Sequence, residues 1–160
     1  MSLALEVTIS DELQSESAAS TESDLSVLVP ETELLQVWAN AAYLDAEPAV
    51  VSVLVTTMSE IQALNKQYRN KDKMTNVLSF PMQSPEEIDV TLLGDIVLCA
   101  GVIEQEANQQ SKSEEAHWAH MVVHSVLHLQ GYDHMNDDDA DVMEKLEIKI
   151  LHQLGFENPY

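Results

Sequence analysis

The segment from Glu114 to Gln130 constrains this chain more than any other. Trp118, Met121, Val122, Val123, Val126, Leu127 and Leu129 cover most of a helix surface rather than a single stripe. A helix this apolar has to lie inside a domain. Its remaining side carries His117, His120, His124 and His128, so the polar face of a buried helix opens on a cleft. His124 and His128 stand one turn apart, with side-chain bases about 6 Å from each other. Gly131 is suited to end the helix, because glycine tolerates the left-handed backbone of a C-terminal cap. The chain can then turn back and deliver His134. Three imidazoles suit Zn²⁺ and leave a fourth position for water, the pattern of a catalytic rather than a structural site. One Zn²⁺ per chain on His124, His128 and His134 is the expectation.

His120 and His124 also form a one-turn pair. His120, His124 and His128 together cannot hold one ion, since eight residues of helix separate the outer two by ~12 Å. The set with a turn in it is preferred, and His117 and His120 are expected to line the cleft behind the ligands. His152 is expected as a surface cation near the end of the last helix.

Around this helix the pattern is mixed. Leu3 to Ile9 is compatible with a strand, and residues 10–24 read as a mobile acidic connection. Pro30 to Glu33 opens a helix running to about Leu44, with Pro and acids in its first turn. Val50 to Val55 is a β-branched run typical of a buried strand. Helical spacing resumes from Thr57 to Tyr68. Val77 to Phe80 forms a short strand ended by Pro81, 83–89 a polar loop, and Leu92 to Cys99 a further strand. Helices follow over Gly101–Gln110 and Glu114–Gln130. The last helix follows Asp137, Asp138, Asp139 and Asp141, with Val142, Met143, Leu146, Ile150 and Leu154 inward. Capping and the helix dipole explain those aspartates more simply than a Ca²⁺ site does. The order predicts a single α+β domain: a four-stranded mixed sheet covered by helices, its last two strands antiparallel.

Charge narrows the class of partner. With 28 acidic against 7 basic residues the net charge is −21, which repels phosphate backbones at long range. Yet Lys66, Arg69, Lys71 and Lys73 fall within eight residues, and none of the first 65 residues is Lys or Arg. A cation cluster this local looks placed. The single cysteine, Cys99, lies in an apolar run, reads as a buried inert thiol and fits a reducing cytoplasm. No apolar run has membrane-spanning length, and no segment has the secretory pattern.

Residues His124 to His134 resemble the YbeY family of bacterial single-strand-specific endoribonucleases, whose signature is His-Gly-x-x-His followed by Leu-x-Gly-Tyr-Asp-His. Two more segments agree: Leu64-Asn65 through Tyr68-Arg69-Asn70-Lys71-Asp72 into Thr75–Pro81, and Leu93-Gly94-Asp95-Ile96-Val97. The resemblance covers roughly residues 50–160. It implies a zinc-dependent cytoplasmic endoribonuclease of ribosomal RNA maturation, at the 16S 3′ end, and of ribosome quality control. Its partners would be single-stranded rRNA and the ribosome or small-subunit assembly proteins, with neither membrane nor DNA expected. The zinc ligands carry over to His124, His128 and His134, and the family's functional arginine to Arg69. The planar fork of Arg69 suits a phosphate clamp, with Lys66, Lys71 and Lys73 as substrate-binding cations. Attack would come from metal-activated water or from the RNA 2′-OH.

Ser125 departs from the signature glycine, and Asn76 stands where the family often has Asp. Ser125 follows a ligand directly, so its hydroxyl is expected near the open coordination position; the alternative is that residue 125 faces the core. A zinc peptidase of the His-Glu-x-x-His type keeps its general base at this place, and serine cannot serve as one. That weakens the rival reading of a zinc amidohydrolase or peptidase. A non-enzymatic ribosome-assembly factor with a structural metal is the second rival; it needs a fourth protein ligand, and the sequence singles none out.

Overall fold

In the computed structural model the chain is described over residues 3–14, 29–82, 91–133 and 135–160. Four strands, β1 (Leu3–Ile9), β2 (Ala49–Thr56), β3 (Val77–Pro81) and β4 (Thr91–Cys99), form one sheet in the order β1-β2-β4-β3. β1 and β4 run parallel to β2, and β3 runs antiparallel to β4. The five helices described are α1 (Thr32–Ala42), α2 (Met58–Arg69), α3 (Ala100–Gln109), α4 (Glu114–Leu129) and α5 (Asp137–Gln153). The single α+β domain and its mixed sheet are as the residue pattern predicts.

Alternation along the strands divides the core in two. Val51, Val53, Val55, Ile96 and Leu98 face one way and pack with Leu35 and Trp38 of α1 and with Trp118, Val122 and Val126 of α4. Leu78, Val97 and Cys99 face the other way, onto Ile61 of α2. The β1 edge is closed by side chains of α1: Gln36 accepts from Leu5 N at 3.0 Å and donates to Leu3 O, and Asn40 accepts from Leu3 N. Amide side chains thus take up strand groups that would otherwise invite another strand.

Two local expectations need correction. Residues 11–14 form a helical turn. Ser10 Oγ accepts from Leu13 N, and Leu13 is buried in the core, so one well-placed leucine overrides a polar neighbourhood. The rest of the predicted connection, 15–24, lies outside the described residues, as does the 83–89 loop. Val142 is half exposed, while Met143, Glu147, Ile150 and Leu151 form the buried face of α5. The helix is capped by Asn136, which accepts from Asp139 N at 2.8 Å; Asp137, Asp138 and Asp139 sit in the first turn, where the dipole favours them.

Candidate active site

The end of α4 is built as the glycine predicts. Gly131 takes φ +102°, its N–H bonds to His128 O, and Tyr132 N bonds to Leu127 O, the paired bonds of a Schellman cap. The cap has a chemical consequence. It turns the Tyr132 carbonyl back onto the helix, where it accepts from His128 Nδ1 at 3.1 Å. His124 Nδ1 donates to Glu147 Oε1 of α5 at 2.6 Å. A carbonyl and an ionised carboxylate can only accept, so both imidazoles carry a proton on Nδ1, which in the neutral ring puts the lone pair on Nε2. This is the form in which a histidine ligates a metal.

From His117 to Leu129 every side chain is buried except those of His124 and His128. This stretch of the helix therefore shows its surroundings two imidazoles one turn apart and little else. His134 lies outside the described residues. Among the described residues, no group of three His, Cys, Asp or Glu is placed to hold an ion. The donor set of His124 and His128 fits a borderline divalent metal such as zinc.

His117 and His120 are committed elsewhere. His117 Nε2 meets Glu106 Oε1 at 3.0 Å, and His120 Nε2 meets Glu147 Oε2 at 3.2 Å. The buried Nδ1 atoms of both have no hydrogen-bond partner among the described residues. Burial holds the His117 pKa below its ordinary value, against the opposing pull of Glu106. Both histidines line the wall behind the exposed pair. His152 is exposed in the last turn of α5, as expected.

Glu147 is the group that sequence reasoning missed. It is 0% exposed, and its carboxylate receives His120, His124 and the Tyr160 hydroxyl. Burial alone pushes its carboxyl upward, but the hydrogen bonds from these three residues outweigh it and hold the pKa at about 2. The Tyr160 phenol is raised in turn, by burial and by the Glu147 charge. The spacing of Met143, Glu147 and Ile150 places an acid on the apolar row of α5, which was a readable signal.

The cation cluster occupies the end of α2 and the chain beyond it. Asn70 ends the helix at φ +56°, and buried Asn65 donates to Lys73 O at 3.0 Å, folding the segment back on α2. Lys66 and Asp72 form an exposed pair at 3.8 Å. Arg69, Lys71 and Lys73 are exposed and, among the described residues, make no ion pair.

Tyr68, beside Arg69, packs edge-on against Phe80 of β3 with ring centres 5.5 Å apart. The next pair along is Pro81 with Gly94, and a Cβ at Gly94 would lie 2.8 Å from Leu129 of α4. The helix ends carrying Arg69 and His128 therefore meet the same end of β3 from opposite sheet faces. At the other end of β3, Asn76 donates to both oxygens of Glu106 at 3.1 and 3.3 Å, and Glu106 meets His117. Residues 70–76 thus connect the α2 end that packs on Phe80 to the Asn76–Glu106–His117 contact with α4. Asparagine suits this place, since an aspartate there would set two carboxylates against each other.

Ser125 does not face the histidine side. It is 0% exposed, its Oγ donates to Val122 O at 3.0 Å, and it borders Val53, Ile96 and Val126. The core-facing alternative is the one found.

A family model described as Endoribonuclease YbeY matches residues 10–155. The chain belongs to the YbeY endoribonuclease family. It is also similar to the solution structure of TM1509 from Thermotoga maritima, at 25% identity over 94% of this chain and 89% of that one, with a TM-score of 0.56. YbeY proteins are endoribonucleases, hence hydrolases, act in ribosomal RNA processing and are generally metal-dependent. No described helix is long and apolar enough to cross a membrane.

Proposed function

We propose that this YbeY protein is a zinc-dependent endoribonuclease that cuts single-stranded ribosomal RNA in the cytoplasm. Its site of action would be the 16S 3′ end, in maturation and quality control on the ribosome or with small-subunit assembly proteins. His124, His128 and His134 would hold one Zn²⁺, which when bound supplies an activated water and a Lewis acid for a phosphoryl oxygen. The observation that carries this reading is the presentation of His124 and His128 alone from an otherwise buried helix stretch, both fixed through Nδ1.

Arg69 would clamp the phosphate at the cut, through a bidentate fork that a lysine cannot copy. Lys66, Lys71 and Lys73 would attract the neighbouring phosphates along residues 66–73. A peptidase reading is weakened by residue 125, which is a core-facing serine where that chemistry needs a carboxylate toward the metal.

The test is cleavage of a single-stranded RNA by purified protein with and without chelator, alongside zinc analysis of His→Ala variants. Expected are loss of cleavage on chelation, recovery with Zn²⁺, and loss of zinc from His124→Ala, His128→Ala and His134→Ala but not from His120→Ala. Full zinc in His134→Ala with loss in His120→Ala would overturn the ligand set.

A further inference from the structure

Glu147 and Tyr160 have no place in the reading above, yet they are joined to its first ligand. Three donors from two parts of the chain converge on the Glu147 carboxylate: His120 and His124 from successive turns of α4, and Tyr160 from beyond α5. The two histidines use it differently. His120 spends Nε2 on Oε2 and is buried, whereas His124 spends Nδ1 on Oε1 and keeps a side chain 24% exposed. An acceptor on Nδ1 fixes both the tautomer and the ring plane and leaves Nε2 basic and turned away from the carboxylate. His120 and Tyr160 hold the other oxygen, so the carboxylate cannot rotate away from His124. Tyr160 also stacks edge-on against His120, with ring centres 5.4 Å apart.

We propose that Glu147 is the positioning residue for the metal ligand His124, and that Tyr160 holds Glu147 in place as a strap from the segment after α5. The proposal rests on the reading of His124 as a ligand. It makes a buried hydrogen-bond acceptor the device that prepares the site before metal arrives. Hydrogen bonding at Nδ1 also makes His124 a stronger donor toward a divalent cation.

Two measurements on the full chain test this. Zn²⁺ affinity is read by competition with a fluorescent chelator, and the His124 tautomer by ¹⁵N resonances of the metal-free protein. Glu147→Gln, nearly the same shape, should weaken Zn²⁺ binding about 10- to 100-fold, the range for loss of such partners. It should also replace the pure Nδ1–H form of His124 with a mixture. Tyr160→Phe removes one hydroxyl from a largely exposed residue and keeps the test usable if Glu147→Gln folds poorly. It should weaken Zn²⁺ binding by roughly threefold or more, since the loss acts one step further from the ion.

His124→Ala separates the two levels of the argument. If it abolishes Zn²⁺ binding while Glu147→Gln and Tyr160→Phe bind as the parent does, the positioning role is wrong and the ligand reading stands. If His124→Ala keeps full zinc, the ligand reading falls and takes this one with it. A purely structural role for Glu147 would lower the thermal midpoint of the metal-free protein yet leave the tautomer unchanged, and that result also overturns the proposal.

Discussion

Replacing Ser125 by glycine restores the family signature, and the structure makes the outcome calculable. The side chain is fully buried beside a void of about 10 Å³, on the sheet side of α4. Glycine removes roughly 30 Å³ of buried atoms, which at ~24 cal/mol per Å³ costs about 0.7 kcal/mol if nothing collapses into the space. Helix propensity adds about 0.3–0.5 kcal/mol against glycine. The lost hydroxyl bond adds little, because the Val122 carbonyl keeps its place in the helix ladder and is not orphaned. The sum is about 1–1.5 kcal/mol, or roughly 2–6 °C in thermal midpoint for a chain of this size. Ser125→Ala, which keeps Cβ and gains propensity, should be neutral or slightly stabilising. Both variants should bind Zn²⁺ and cleave RNA within about twofold of the parent, since residue 125 touches neither exposed histidine face. The assays are thermal unfolding, chelator competition and initial cleavage rates. A Ser125→Gly protein that binds Zn²⁺ normally but cleaves more than tenfold slower would refute the reasoning, because a core-facing hydroxyl would then be taking part in the reaction.

Arg69→Ala should lower RNA cleavage by about 10²-fold, the scale for losing a charge-stabilising donor, while zinc content and midpoint stay nearly constant; Arg69→Lys should recover only part of the rate. A large fall in midpoint would instead make Arg69 a structural residue. On free single strands, two to four phosphate contacts from residues 66–73 predict a slope of log K against log salt of only about −1.4 to −2.8. A much steeper slope would mean that cations outside this segment bind. The depressed pKa of His117 means that the unfolded chain takes up a proton first as pH falls below about 6.5. That stability contribution is full above pH 6.5, drops by at most about 1.4 kcal/mol per pH unit below it, and levels off at the folded pKa. Urea unfolding of the metal-free parent and of His117→Gln at pH 7.5 and 5.5 should show a steeper acid loss in the parent; equal losses would contradict a neutral buried His117.

What the sequence could and could not disclose follows from the range of the forces involved. α4 was legible because an apolar surface on nearly every side leaves a helix one place to go, and because Gly131 supplies a backbone conformation that other residues resist. The β-branched run of β2 was legible for the same kind of reason: the residues that prefer a strand are also those that bury it. Ser125 was half legible. Helical spacing groups it with Trp118, Val122 and Leu129, all buried, and the wheel outweighs adjacency to His124 in the chain, since neighbours on a helix point about 100° apart. Glu147 was visible as an acid on an apolar row, but its purpose was not, since the histidines it holds lie on another helix and the contact depends on how α4 and α5 pack. Tyr160 left no signal at all. It is largely exposed, and only the path of the chain after Gly155 brings its hydroxyl to a buried carboxylate. Asn76 shows the same division at the basic segment. Its type could be noted as unusual from sequence, but the reason for it is the Glu106 carboxylate, thirty residues on, which an amide can donate to and a second carboxylate can only oppose.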